Sequence, residues 1–400
     1  MNQELTAAKI AEPILVYNEK TFAQMLNHLS KQPFLALDTE SDSLYRYYPR
    51  VCLIQISTFA ENQDHAEPTI VDYLVDPLRL NDISPLGLFL ANSAIEVIMH
   101  AAENDILELQ RNFQFTFQHI FDTQLAARIL GWPHAGLAAI LEEQFGIISD
   151  KRMQRTNWGK RPLTPQQITY AQMDTHFLPA LRAILAEQLK ATERWEEAQD
   201  AFALLSKLDY QQYSNHKRAF WQMKITKEVP RDATGVLEAL WEWRERVAQT
   251  ENWPPFKILN DEVLGALAVQ QPQTLGELKQ VGRLNEQQST RYGKTLLNAI
   301  ADGRQRPLPA PPEAKLRPEQ LLDKPALNRY EALRRWRAKV AEERGVALDI
   351  IFNNSTLVEL AQRLPRNQAE ILEIPEIGPW KAQTYGPDLL AMLHKTPPSH

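Results

Sequence analysis

Phe34-Leu35-Ala36-Leu37-Asp38-Thr39-Glu40 is a short apolar run that ends in two carboxylates. Four apolar residues in succession fit a buried strand. Strand residues two apart point to the same side, so Asp38 and Glu40 can face one site. Acids held a few ångströms apart raise each other's pKa unless a cation compensates. The pair therefore suggests a divalent metal, although Asp-x-Glu after an apolar run also occurs at solvated strand ends and in turns.

Working outward, Ile14-Leu15-Val16-Tyr17 predicts a first strand, and Asn18 can cap a helix running to Leu29. Val51 to Ser57 and Thr69 to Tyr73 predict two strands after the Asp38 strand, with a polar loop over 61–68 between them. Three strands before any long helix predict an antiparallel start to a mixed sheet. Ile95 to Met99 is the next apolar run and leads through His100 into a helical pattern that places Asp105 near a helix start, where the dipole favours a carboxylate. Phe121-Asp122-Thr123 introduces a helix from Gln124 to Leu130, and another follows from Leu137 to Phe145.

From Asp150 to Leu163 five basic residues mix with Trp158 and several amides. Such a stretch can hold phosphates and stack a base, or form a solvated loop whose Trp158 packs on the core. Thr164 can cap the next helix with Pro165 at its first position, and Tyr170 and Asp174, four apart, share a face of it. Asp38, Glu40, Asp105 and Asp174 together are four carboxylates, and Tyr170 adds a phenol. Oxygen ligands of this kind suit magnesium or manganese rather than zinc.

A chain of 400 residues allows two or three domains, each with its own core. The single cysteine, Cys52, excludes an internal disulfide and fits a reducing compartment. No signal-peptide segment precedes Tyr17 and no apolar run reaches membrane-span length, so a cytoplasmic location is expected. The net charge of −6 is uneven. Residues 1–210 carry 17 Lys and Arg against 27 Asp and Glu, net −10, whereas the remainder carries 27 against 23, net +4. The rear half is thus the one suited to a nucleic-acid partner.

That rear half repeats itself with a shift of 93 residues and no gap: Trp243-Arg244 overlays Trp336-Arg337, Asn260 overlays Asn353, and Tyr292-Gly293 overlays Tyr385-Gly386. A period of this size means two copies of a small domain, and the helical spacing of apolar residues predicts an all-helical bundle for each. The proline-dense stretch 307–318 reads as the linker between them. In the second copy Ile374 to Trp380 is expected to form a hairpin whose amides could hold a phosphate, or simply a turn. Among Arg334, Arg335 and Arg337, flanking Trp336, a solvated basic face is expected, with the ring in the core. Gly293-Lys294-Thr295 lacks the earlier glycine of a phosphate-binding loop, so no nucleoside triphosphate partner is expected.

Leu37-Asp38-Thr39-Glu40, His100-Ala101 with Asp105, and Tyr170-Ala171 with Asp174 resemble the three motifs of the ribonuclease D family, in the tyrosine subtype of the DEDD superfamily of 3′–5′ exonucleases. Phe121 to Gln124, Arg155 to Trp158 and Arg161 to Leu163 are similar to the family's connecting text, while Ser41 and Asn157 depart from its common Phe and Asp. The repeats resemble HRDC domains, accessory nucleic-acid-binding modules. The resemblance implies a ribonuclease H-like α/β exonuclease domain, a mixed sheet flanked by helices, over 1–210. It also implies HRDC bundles over 211–306, with a lead-in helix, and over 319–400. It further implies two divalent ions, Mg²⁺ or Mn²⁺, held by Asp38, Glu40, Asp105 and Asp174, with Tyr170 orienting the attacking water. His100, Arg155, Trp158 and Arg161 are the expected substrate contacts. The expected substrate is RNA with a free 3′ end, such as a tRNA precursor, and the expected product is a nucleoside 5′-monophosphate. A monomer is expected. A DNA substrate, or a catalytically silent RNA-binding scaffold, is the alternative.

Overall fold

The computed structural model describes residues 10–60, 69–211, 220–310 and 318–394, apart from the side chain of Glu319. The strands are β1 (Ile14–Val16), β2 (Phe34–Ser41), β3 (Val51–Phe59), β4 (Ile70–Val75), β5 (Glu96–Met99) and β6 (Ile120–Asp122). The front helices are α1 (Glu19–Leu29), α2 (Ser84–Leu90), α3 (Glu103–Phe113), α4 (Thr123–Leu130), α5 (Leu137–Phe145), α6 (Pro165–His176), α7 (Leu178–Ala191) and α8 (Trp195–Leu205). Local chemistry sets several of their starts. Asn18 caps α1, Asp122 caps α4, and Thr164 with Gln167 forms a capping box on α6 with Pro165 in its first turn.

The sheet runs β1-β4-β3-β2-β5-β6. β2 pairs antiparallel with β3 and parallel with β5, and β3 pairs antiparallel with β4, giving the mixed sheet expected. β3 is buried from Val51 to Thr58, because helices cover both of its faces. One core layer joins the sheet to residues of α1, α2 and α3, and a second joins it to α4, α5, α7 and α8. β2 runs further than its apolar half: Asp38 stays in register with Gln55 and Glu40 with Leu53, and the ladder shifts only between Glu40 and Ser41. The acids therefore sit on paired backbone rather than on a free strand end.

The rear repeats are helical, and their equivalence reaches the hydrogen bonds. Arg244 in the helix Thr234–Glu251 donates from Nη1 to the carbonyl of Leu259 at 2.9 Å, and Arg337 in the helix Lys324–Arg344 donates to that of Phe352 at 2.7 Å. Asn260 and Asn353 cap the helices that follow. Trp243 meets Tyr292 edge-on at 5.6 Å, and Trp336 meets Tyr385 edge-on at 5.4 Å. Arg337 is buried by this arrangement, which corrects the expectation of a solvated face there; Arg334 and Arg335 are exposed. Of the segment ahead of the first repeat, where a lead-in helix is expected, 212–219 lie outside the described residues, as does most of the proline-dense linker, 311–317. Three short 3₁₀ turns fill 220–233.

The described residues group into two compact units that cross the linear order. One takes 1–41, 51–210 and 316–400, and the other takes 42–50 and 211–315, in each case as far as they are described. In the first unit the second repeat packs on α8 and α4. Arg344 forms a forked ion pair with the buried Glu197, Arg194 donates to the carbonyl of Arg344 at 2.9 Å, and Arg128 pairs with Asp349. Asp200 of α8 accepts from the backbone amides of Trp380 and Lys381. Those amides begin the helix Pro379–Leu393, whose N-cap, Gly378, offers no side chain. The hairpin expected to hold a phosphate is thus capped by a carboxylate of the same chain.

Gly131, at φ +79°, lies against the carbonyl of Gly345, where a Cβ would fall well inside contact distance. Gly131→Ala adds both that clash and the cost of a left-handed alanine. The expected outcome is a loss of roughly 1–3 kcal/mol in stability. A urea titration checks it against Gly136→Ala, whose Cβ would enter open space.

Candidate active site

Three elements converge on β2. The strand presents Asp38 and Glu40, α3 presents Asp105 from its first turn, and α6 presents Tyr170 and Asp174 one turn apart. Asp174 is 7% exposed, and the other four are partly buried. The start of α3 is built by Asp122, whose carboxylate accepts from the amides of Ala101 and Ala102 at 3.2 and 2.8 Å while it also caps α4. Ala101 is left-handed at φ 58°, so this carboxylate holds a bent turn that no local propensity favours.

The acids act on one another. Burial, then Asp105, Asp174 and Glu40, hold the Asp38 carboxyl well above its usual range. Burial and the charges of Asp174, Asp105 and Glu108 push Glu40 up to about 9. Burial raises Asp174 to about 8, against a hydrogen bond from the Tyr170 hydroxyl. Burial raises Asp105 to about 7, against a hydrogen bond from the Thr39 hydroxyl. The Tyr170 phenol is raised by burial and then by Asp174, Glu40 and Asp38, and it takes a hydrogen bond from Gln154. All five groups therefore share one electrostatic environment. Thr39 and Gln154 belong to it as well, yet nothing in their residue types announced them.

Among the described residues no three His, Cys, Asp or Glu side chains are grouped so as to hold a metal ion as they stand. The donor set nevertheless fits a hard divalent cation: it is all oxygen, partly buried, and its members repel one another.

Asp72 seats the helix that carries Tyr170 and Asp174. It lies on β4, is 4% exposed, and accepts from Ser57 of β3 at 2.6 Å, Gln172 at 2.6 Å and His176 at 2.8 Å. Ser57 in turn meets the Thr175 hydroxyl at 2.7 Å. Gln172 and His176 project from the side of α6 away from Tyr170 and Asp174, so the network fixes both the rotation and the height of the acid-bearing face.

The other residues singled out in the sequence lie differently. Trp158 is wholly buried against Cys52, Leu53, Leu74 and Ala171, with its ring 6.2 Å from that of Tyr170, so it backs the phenol and is closed to a base. Arg161 spends its guanidinium on Asp76, at 2.6 and 2.9 Å, and on the carbonyls of Trp158 and Cys52. It ties the 150–163 stretch to the ends of β3 and β4 and, with a further bond to the Lys160 carbonyl, has no donor left over for a phosphate. Both findings correct the expected substrate contacts. Arg155 is on the surface. His100 meets the Thr123 hydroxyl through Nδ1 at 2.9 Å, and burial lowers its pKa against Asp122 and a hydrogen bond to the Ala135 backbone.

With this geometry in hand, known proteins can be compared. The 3′–5′ exonuclease family model matches residues 13–190, and the HRDC domain model matches 233–300 and 326–393. Ribonuclease D of Sphingobium indicum is 31% identical over 323 residues, covering 80% of this chain and 79% of that protein. Ribonuclease D of Gluconacetobacter diazotrophicus is 28% identical over 391 residues, covering 96% and 94%. The crystal structure of Escherichia coli RNase D, described as an exoribonuclease involved in structured RNA processing, is similar with a TM-score of 0.64 and 26% identity. That likeness covers 97% of this chain and 100% of that one.

Raised carboxyl pKa values mean that the folded, metal-free chain binds more protons than the unfolded chain between about pH 4 and 9. Stability is then lost as pH rises through that window. In EDTA the melting temperature should fall from pH 5 to pH 9, and Asp174→Asn should flatten the fall. Thermal melts across that range test this; a wild-type profile unchanged in the variant would contradict it.

Proposed function

Because the chain belongs to the ribonuclease D family and is a 3′–5′ exoribonuclease, we propose that it shortens structured RNA such as tRNA precursors, using Asp38, Glu40, Asp105, Asp174 and Tyr170 as its catalytic set. The observation that carries this is the convergence of four carboxylates and a phenol from β2, α3 and α6 in one little-solvated place, where burial and neighbouring charge raise the carboxyl pKa values. Such a cluster is costly unless cations or protons neutralise it. Asp38, Glu40, Asp105 and Asp174 would hold two divalent ions, Mg²⁺ or Mn²⁺. When bound, these would supply charge stabilisation for the attacking and departing oxygens.

The chain's own residues do the rest. Asp38 and Glu40, fixed on paired strand, set the floor of the site, while α3 and α6 bring Asp105 and Asp174 against it. Tyr170, backed by Trp158 and held by Gln154, would turn its hydroxyl to the attacking water and orient it, and it would help remove the water's proton once bound cations offset the carboxylates that raise its own pKa. The water oxygen bonds to the terminal phosphorus, the bond from phosphorus to the 3′ oxygen breaks, and that oxygen leaves as a hydroxyl. A nucleoside 5′-monophosphate is released. We assign this chemistry to residues 1–210 and accessory roles to 211–306 and 319–400, joined by the 307–318 linker, in a monomeric cytoplasmic protein.

Asp38→Asn and Asp174→Asn keep side-chain volume and remove a ligand charge, so each should abolish nearly all cleavage of single-stranded RNA while leaving the fold intact. Tyr170→Phe removes only a hydroxyl. Its turnover should fall roughly 100-fold with manganese affinity unchanged. Single-turnover cleavage beside manganese titration by electron paramagnetic resonance separates the two effects. Wild-type turnover in either Asn variant would refute the ligand assignment.

A further inference from the structure

The turn after the first long helix of each repeat is used differently in the two copies. In the second copy it is covered by protein of its own unit: Val346 and Ile350 pack into the core beneath α4 and α8, and Asp349 pairs with Arg128. The corresponding residues of the first copy are Trp253, Lys257 and Phe256. Trp253 is 49% exposed and Phe256 is 53% exposed. The second repeat folds with valine and aspartate at these two places, so the bundle itself does not require the rings.

The segment 42–50 adds to this face. Its Tyr48 amide donates to Asn252 at 3.0 Å, its Tyr47 hydroxyl donates to Glu245 at 2.9 Å and accepts from Gln249 at 3.0 Å, and Lys257 lies 3.9 Å over the Tyr45 ring. These contacts bracket the turn that carries Trp253 and Phe256. They set beside it the Tyr48 ring, which is 58% exposed. Cations are interleaved with the rings: Lys257, the exposed Arg246, and Arg46, which the buried Asp42 holds at 3.0 Å. The nearby acids are engaged, Glu245 by Tyr47 and Glu251 by Tyr292 and Arg291.

We propose that Tyr48, Trp253 and Phe256, with Arg246 and Lys257, form a platform on which bases of single-stranded RNA stack. Large exposed rings mark interaction surfaces. A base offers each ring a π-face while its phosphate meets the adjoining cation, and this pairing of aromatic and basic groups favours nucleic acid over an apolar protein face. The platform contains none of the catalytic set, so it adds affinity for the strand and nothing to the hydrolytic step. The inference rests on RNA being the substrate.

The test uses the full-length protein. Binding of a fluorescein-labelled single-stranded RNA of about 12 nucleotides, long enough to span a stacking site, is measured by anisotropy in EDTA. Trp253→Ala with Phe256→Ala should weaken it at least about tenfold, since each stacked base contributes substantially. Trp253→Phe, which keeps a ring, should retain most of the affinity. With Mn²⁺ restored, cleavage of a trinucleotide should proceed at the wild-type rate in both variants. An unchanged affinity in the double variant, or no measurable affinity in the wild type, overturns the platform. So does a double variant that binds RNA normally but loses self-association in sedimentation, which would make the face a protein interface. Failure of the wild type to cut the trinucleotide would instead strike at the exoribonuclease reading.

Discussion

Mutual repulsion among Asp38, Glu40, Asp105 and Asp174 is the constraint on which the front unit depends. Like charges in a poorly solvated place separate unless the backbones beneath them are fixed. Each backbone here is fixed by hydrogen bonds from elsewhere. β2 is held on both sides by β3 and β5, the start of α3 is bent by Asp122, and α6 is seated by the network around Asp72. The fold stores the repulsion of the acids in elements that cannot easily move apart, and a divalent cation would release it.

The polar residues that do this supporting work are fully bonded, and Asp72 is buried as well. Asp72 receives three donors from two elements, and Arg161 gives its guanidinium to one carboxylate and to backbone carbonyls. Leaving either without partners would cost more than a single hydrogen bond returns, so these networks specify position as well as stability. Trp158 belongs with them, as an apolar backing for Tyr170.

The duplicated rear shows one scaffold put to two uses. The buried arginine, the asparagine caps and the edge-on Trp–Tyr pair are kept in both copies, because each holds the bundle together. Differences fall on the outer turn and at one helix start. Glu251 becomes Arg344, which meets Glu197, and Asn285 becomes Gly378, which leaves room for Asp200. A few surface exchanges thus let the second bundle pack on α4 and α8 of its own unit.

The sequence by itself determined β1 to β5 and most of the helices among them, in order, while β6, α2, α7 and α8 drew no reading of their own. Apolar runs located the strands, Asn18, Asp122 and Thr164 marked helix starts, and the 93-residue period exposed the duplication, because all of these depend on residues close in the chain or on a register that comparison reveals. The spacing of acids after apolar runs made the candidate set legible for the same reason. Only the tertiary structure decided that Trp158 is a buried support and Arg161 a bonded one, that Arg337 is inside, and that the amides expected to meet a phosphate meet Asp200. Only it showed Thr39, Gln154 and Asp72 around the acids, and residues 42–50 grouped with the first repeat. In each of these cases but Gln154 and Arg337 the deciding partner lies outside the local stretch, often more than 60 residues away, as in Arg161 with Cys52 or Thr39 with Asp105. A basic or hydroxyl side chain carries no local mark of whether it will meet water, a ligand or a distant carbonyl; that depends on which surfaces the packed elements bring together.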